Sequence, residues 1–359
     1  MLASVIPAPD PIGIPAPAWV LQTLLIFTFV LHIIAMNLLV GGVAILCINL
    51  RKKEDDFRRV LAERISKALP ATMAITITLG IAPLLFLQVL YGQAFYTSSI
   101  LMAWSWLAVI PLLLISYYGL YVVYFKPKWA GNYSNLIAWV SAVLILLIGF
   151  IFSNNSTLML DPQKWSQVYS SNPYGMYLNL SDKTLISRYF HFIVSAFAVT
   201  GLGIVLWSKV FQKSDSNWAE KASEYGSKWF VHATAVNMVV GLWFLFQIPR
   251  DIRMNFLGEN TADTIILWGG VALALGAMHF VRKKPGLAVL FLLGTLALMS
   301  VSRHALREYM LEPYLRVNEL TVNPQWGVFL VFLALLIMSI GLVLWMLKQF
   351  LGSKPAEEP

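Results

Sequence analysis

The sequence predicts an all-α fold: a polytopic membrane helix bundle of about nine transmembrane helices. Three observations carry this prediction. Of the 359 residues, 58% are hydrophobic and only 12% charged, with a mean hydropathy of +0.69, far from the balance of a soluble domain. Apolar stretches of roughly 20 residues, the length a helix needs to cross a hydrocarbon core, recur along the whole chain. The basic residues cluster between those stretches in a pattern that assigns sides.

The segment Met1–Pro17 lacks Lys and Arg and is rich in proline (Pro7, Pro9, Pro11, Pro15, Pro17). It reads as an extracytoplasmic strap, because a cleavable signal would need a basic start. The apolar stretches then cover 18–50, 69–91, 100–125, 134–160, 185–208, 228–249, 264–281, 286–302 and 326–351. Seven basic residues fill Arg51–Lys67 after the first stretch, and Lys126 and Lys128 follow the third. Four more lie in Lys209–Lys228 after the fifth, three in Arg282–Lys284 after the seventh, and Lys348 and Lys354 near the end. With nine spans and the N-terminus outside, all of these fall in the cytoplasm. The count is 18 basic residues inside against 8 outside, which fixes the orientation. The expected layout is an extracytoplasmic segment 1–17, one transmembrane domain 18–351 and a cytoplasmic tail 352–359, in the cell (inner) membrane. The net charge of +8 follows from this topology and does not point to nucleic acid.

One cysteine, Cys47, excludes an internal disulfide, a CxxCH haem attachment and a cysteine-ligated cluster built by this chain alone. Any c-type haem belongs to a partner.

The functional signal is a contrast between histidines and acids. All 18 acids are expected in loops or tails, whereas His32, His191, His232 and His279 fall within apolar stretches and His304 at the edge of one. Ionisable groups in lipid are costly and mark function, and imidazole is a common haem-iron ligand. By helical rise, His191 lies roughly 9 Å inside the outer boundary of its span and His232 roughly 6 Å inside the inner boundary. The pairings His191–His304, His191–His32 and His232–His279 are each open, and so is simple hydrogen bonding to a neighbouring helix. Arg188 and Arg303 stand near enough in sequence to pair haem propionates. Two longer outer loops are expected. In Asp161–Thr184, Trp165, Tyr169, Tyr174 and Tyr177 read as an interface belt or a docking surface. Arg303–Pro324 mixes acids with Arg303, Arg307 and Arg316 and reads as a solvated surface or, beside a haem, as a source of propionate partners.

Short motifs then resemble subunit I of cytochrome bd oxidase, in order along the chain. They are His32–Gly41 in the first span, Leu79-Gly80 and Gln88-Val-Leu-Tyr91-Gly92 in the second, and Ser116-Tyr-Tyr-Gly119-Leu120 in the third. Ser153-Asn154-Asn155 closes the fourth, and Arg188-Tyr189-Phe190-His191 with Thr200-Gly201 marks the fifth. The resemblance implies that His191 is the low-spin b-haem ligand, His32 the first-helix ligand, and Arg303 the arginine of the family's Gly-Arg-Gln-Pro-Trp motif. It also has departures. Ile265–Trp268 holds no methionine where the family has one, Ser300 stands at its carboxylate ligand with His304 one turn on, and Gln88, Leu107 and Ile115 replace membrane acids. The quinol-binding loop shrinks to Pro249–Asp263.

The expected function is a haem b-binding subunit of a respiratory complex, passing electrons between quinol and/or a c-type cytochrome partner. Oxygen reduction is not expected, since Gln and Leu cannot relay protons as carboxyls do. The alternatives are a haem-free quinone-interacting anchor and a secondary transporter, for which Pro83, Pro111 and Gly41-Gly42 would permit helix breaks.

Overall fold

The computed structural model describes residues 6–8, 10–51, 54–125 and 133–352. Lys52, Lys53, Lys126, Lys128, Lys354 and most of the tail 352–359 lie outside the described residues. Among the described residues, nine helices are long and apolar enough to span a membrane. They are α1 (Ala18–Leu50), α2 (Asp56–Leu101), α3 (Ala103–Phe125), α4 (Ser134–Met159), α5 (Lys183–Phe211), α6 (Ser216–Gln247), α7 (Thr261–Phe280), α8 (Pro285–Leu311) and α9 (Trp326–Gly352). The fold class predicted from composition is the one observed.

Three helices extend well beyond their hydrophobic stretches. Asp55 caps α2, its carboxylate accepting from the Arg58 backbone at 3.2 Å, so much of the basic segment Arg51–Lys67 is helical. Asp215 caps α6 in the same way, accepting from Trp218 at 3.1 Å, and starts that helix twelve residues before position 228. The third, α8, continues nine residues past Ser302. The expectation that all acids lie in loops or tails is therefore corrected. Asp56, Glu63, Glu220, Glu224, Asp263 and Glu308 are helical, because an N-cap and exposed helical turns need no apolar side chains. Conversely, Pro70, Pro83 and Pro111 sit inside helices that continue past them, and α1 runs unbroken through Gly41-Gly42. The one residue of α2 with non-helical dihedrals is Tyr91.

The pairs α1/α2, α3/α4, α5/α6 and α7/α8 pack as hairpins, and α1 is central, touching α2, α4, α5 and α8. Small residues set the closest crossings. A Cβ on Gly41 would collide with the Ala196 carbonyl and Thr200 of α5, and one on Gly201 would stand 2.6 Å from the Phe230 nitrogen and 2.7 Å from the Gly226 oxygen of α6. Backbones that approach this closely are the usual way membrane helices associate. At the end of the bundle where α1 begins, the N-terminal strap pairs with the segment before α9: the Ile14 nitrogen donates to the Thr321 carbonyl at 2.8 Å and Asn323 returns a bond to Ile14 at 2.9 Å. Gly13 there takes φ +78°, a left-handed conformation that glycine adopts without penalty. Along its described length α9 exposes its side chains.

A cavity with two cations and one imidazole

Asp182 caps α5, accepting from the Thr184 backbone at 2.8 Å. That start places Arg188 and His191 three residues apart, on one face of the helix. Arg188 is buried, its guanidinium carbon 5.0 Å from the Phe244 ring on α6. The His191 ring lies beside the Asn237 backbone carbonyl and against Gly241, where a Cβ would stand 3.1 Å from its Cε1. From α8, Arg303 reaches over the Phe29 ring of α1 at 4.5 Å.

These groups line one cavity of about 400 Å³ walled by α1, α5, α6, α7 and α8. That volume falls in the range of ligand pockets, roughly 300–1,000 Å³. Its walls are mainly Ile33, Phe192, Leu245, Leu267 and Leu296. Six of its polar atoms are left without partners: Nε of Arg188 and of Arg303, Nδ1 of His191, Oγ of Ser302, Nδ2 of Asn37 and Oδ1 of Asn237. Among the described residues neither arginine has a salt bridge. Guanidinium groups held at an apolar cavity without a salt bridge are expensive, so the site suits a ligand that is apolar in body and anionic at one edge.

The same turn of α8 aims its next side chains elsewhere. His304 is buried, its Nε2 3.5 Å from Glu308 and its ring edge-on to Tyr91 at 6.4 Å. Arg307, also buried, holds its guanidinium 5.1 Å from that Tyr91 ring, and Gln22 of α1 donates to Glu308 at 2.7 Å. Arg303, His304, Arg307 and Glu308 thus belong to a helix end. The expected solvated surface at the start of Arg303–Pro324 is corrected, because α8 carries these side chains against α1 and α2.

The other sequence candidates scatter. His32 faces α2, its Nδ1 3.1 Å from the Thr76 carbonyl, and a Cβ on Gly80 would come within 2.9 Å of its ring. A carbonyl only accepts, so Nδ1 is the donor and Nε2 keeps its lone pair. His232 and His279 are exposed. The first bonds its own helix at the Lys228 carbonyl, 2.7 Å away, and the second stacks edge-on with Phe280. Neither lines the cavity. In the 161–184 segment Trp165 is buried, donating to the Leu158 carbonyl at 2.9 Å, whereas Tyr169 and Tyr174 are exposed.

Sequence reasoning missed Asn237, Gly241 and Phe29, and placed Arg307 in a loop. The first two carried a weak signal, a polar and a small residue four apart on one face of an apolar helix. Arg307 was hidden by ending α8 too early.

With this arrangement established, comparison with known structures is informative. One match is the structure of bd oxidase from Geobacillus thermodenitrificans, with a TM-score of 0.66 over 93% of this chain and 99% of that one. The chain has the bd oxidase fold. Identity is 13%, so the likeness is one of architecture. No family model and no curated protein sequence matches the chain. Among the described residues no group of three or more His, Cys, Asp or Glu is placed to hold a metal ion.

Proposed function

We propose that this chain is a haem b-binding subunit of a respiratory electron-transfer complex, with His191 as an axial ligand and Arg188 and Arg303 as propionate partners. One observation carries the reading: an unpartnered imidazole nitrogen and two arginines with unpartnered Nε atoms and no salt bridge meet at a single apolar cavity. Haem has matching chemistry, an apolar plate with carboxylates at one edge and iron at its centre, and would supply one-electron transfer there. The chain's own contribution is to orient and insulate. Gly241 lets the ring lie against α6, and the Leu, Ile and Phe side chains of the wall would surround the apolar body of the group.

The bd oxidase fold supports a place in a multi-subunit respiratory complex of the inner membrane, with quinol and a c-type cytochrome as candidate electron partners and the N-terminus outside. Within that fold, Gln88 is half-buried and Leu107 and Ile115 face outward from α3, leaving no carboxyl there to carry protons. The chain is accordingly assigned electron transfer without oxygen reduction.

Asn37 and Asn237, deeper in the same cavity, favour a second reading in which a quinone bonds to them and no haem is held. His191→Ala separates the two. Loss of a low-spin b-type reduced-minus-oxidised signal supports the haem, an unchanged spectrum refutes His191 as ligand, and a purified chain without a Soret band leaves the quinone.

A further inference from the structure

We infer that the thioether of Met299 is the second axial donor, facing His191 across the cavity. The inference rests on the haem reading and concerns a residue that neither the histidine pattern nor the family resemblance singles out.

Depth is the first argument, and three helices supply the ruler. From Arg188 to His191, α5 descends about 4.5 Å from the end of the bundle where α1 begins. On α6, Phe244 lies beside Arg188 and Gly241 beside His191, the same three-residue step. On α1, Phe29 meets Arg303, and two turns further in, Asn37 Oδ1 lies 3.3 Å from Ser195 Oγ, four residues below His191. His191 is therefore level with the turn at Ile33, and Arg303 is level with Arg188. Four residues inward from Arg303, about 6 Å by helical rise, is Met299. Each of α5 and α8 thus presents an arginine with a donor atom one turn below it.

The second argument is the wall. Two methionines line the cavity, Met238 and Met299. Met238 is one turn below Gly241, and so a full turn deeper than the imidazole. Met299 is at the level of the imidazole and packs into a glycine notch on α7, where a Cβ on Gly270 would stand 2.7 Å from its Cε. His191 sits in the corresponding notch at Gly241 on α6. A thioether on an unbranched side chain adapts to such a gap, and with imidazole it makes a known haem-iron ligand pair. His304 is excluded from this role by direction, since its ring faces Tyr91 of α2. The second ligand would come from α8, one helix beyond the position at Ile265–Trp268 where the resemblance looks for it.

The test uses the purified full chain with haem b, recording the ferric near-infrared thioether charge-transfer band, the spin state and carbon monoxide binding by the ferrous form. Met299→Leu, which keeps the volume, is expected to retain haem through His191 but lose the band, turn high-spin and bind carbon monoxide. Met299→His restores a six-coordinate low-spin centre at a lower potential, and Met238→Leu, although it alters the cavity wall, keeps the thioether band. An unchanged low-spin spectrum in Met299→Leu, or the conversion appearing in Met238→Leu instead, overturns the assignment while the haem site stands. A wild-type chain that takes up no haem overturns both.

Discussion

Gly241 is the position where a single methyl tests the site. In the native chain the His191 ring lies flat against α6 because residue 241 has no side chain. A Cβ there would stand 3.1 Å from Cε1 and 3.4 Å from Nδ1, inside the ~3.5–4.0 Å at which carbon atoms pack best. The ring must shift by a few tenths of an ångström toward the cavity. Overpacking of this kind costs about 1–3 kcal/mol. With a side chain as the yielding partner, Gly241→Ala belongs at the low end, about 1 kcal/mol, which is roughly a fivefold loss of haem affinity. Gly241→Leu, which cannot be absorbed by a small rotation, should approach the upper end, roughly a hundredfold. Haem titration of the apo-chain, followed at the Soret band, measures both, and thermal unfolding of the same apo-proteins shows whether the bundle itself is intact. Native affinity and spectrum in Gly241→Leu would mean that the imidazole pressed against α6 is not the ligand.

Three further outcomes follow from the same geometry. Arg188→Gln and Arg303→Gln should each lower the haem midpoint potential, because a cation beside the propionates favours the reduced form; about 59 mV corresponds to 1.4 kcal/mol for one electron, and unchanged potentials in a redox titration would remove both residues from the propionates. His232→Ala and His279→Ala should keep the full haem complement, since both rings are exposed and outside the cavity; haem loss in either would restore an inner site. Gly201→Ala forces two backbones apart at 2.6 and 2.7 Å and should cost about 1–3 kcal/mol, seen as a lower unfolding temperature in detergent, whereas a native melting temperature would contradict the close α5–α6 crossing.

The spans were legible because lipid imposes a length and a composition on each one, and α1 and α4 end within a residue of the hydrophobic boundary. The ends of α2, α6 and α8 were not legible, since they leave the apolar phase and are set by caps such as Asp55 and Asp215. That error moved Arg303, His304 and Arg307 into a loop and hid the buried cluster at Tyr91. The short motifs that carried the family resemblance prove to be helix contacts: His32 meets Gly80, Gly41 meets Thr200, Gly119 meets Ser141, and Asn154 accepts from the Asn179 backbone. Such pairs fix how closely backbones approach, so they report the fold and not the ligands. Which histidines share a site depends on rotation about the helix axis. Depth alone could not separate His191, which faces the cavity, from His32, which faces α2, or from His304, which faces Tyr91.

The most direct test of the central claim is a pyridine-haemochrome determination on the full chain purified from membranes, beside the His191→Ala protein prepared in the same way. The account predicts b-type haem in at least stoichiometric amount in the native chain and a deficit of one haem per chain in the variant. A native chain without haem, or the same haem content in both proteins, would contradict it.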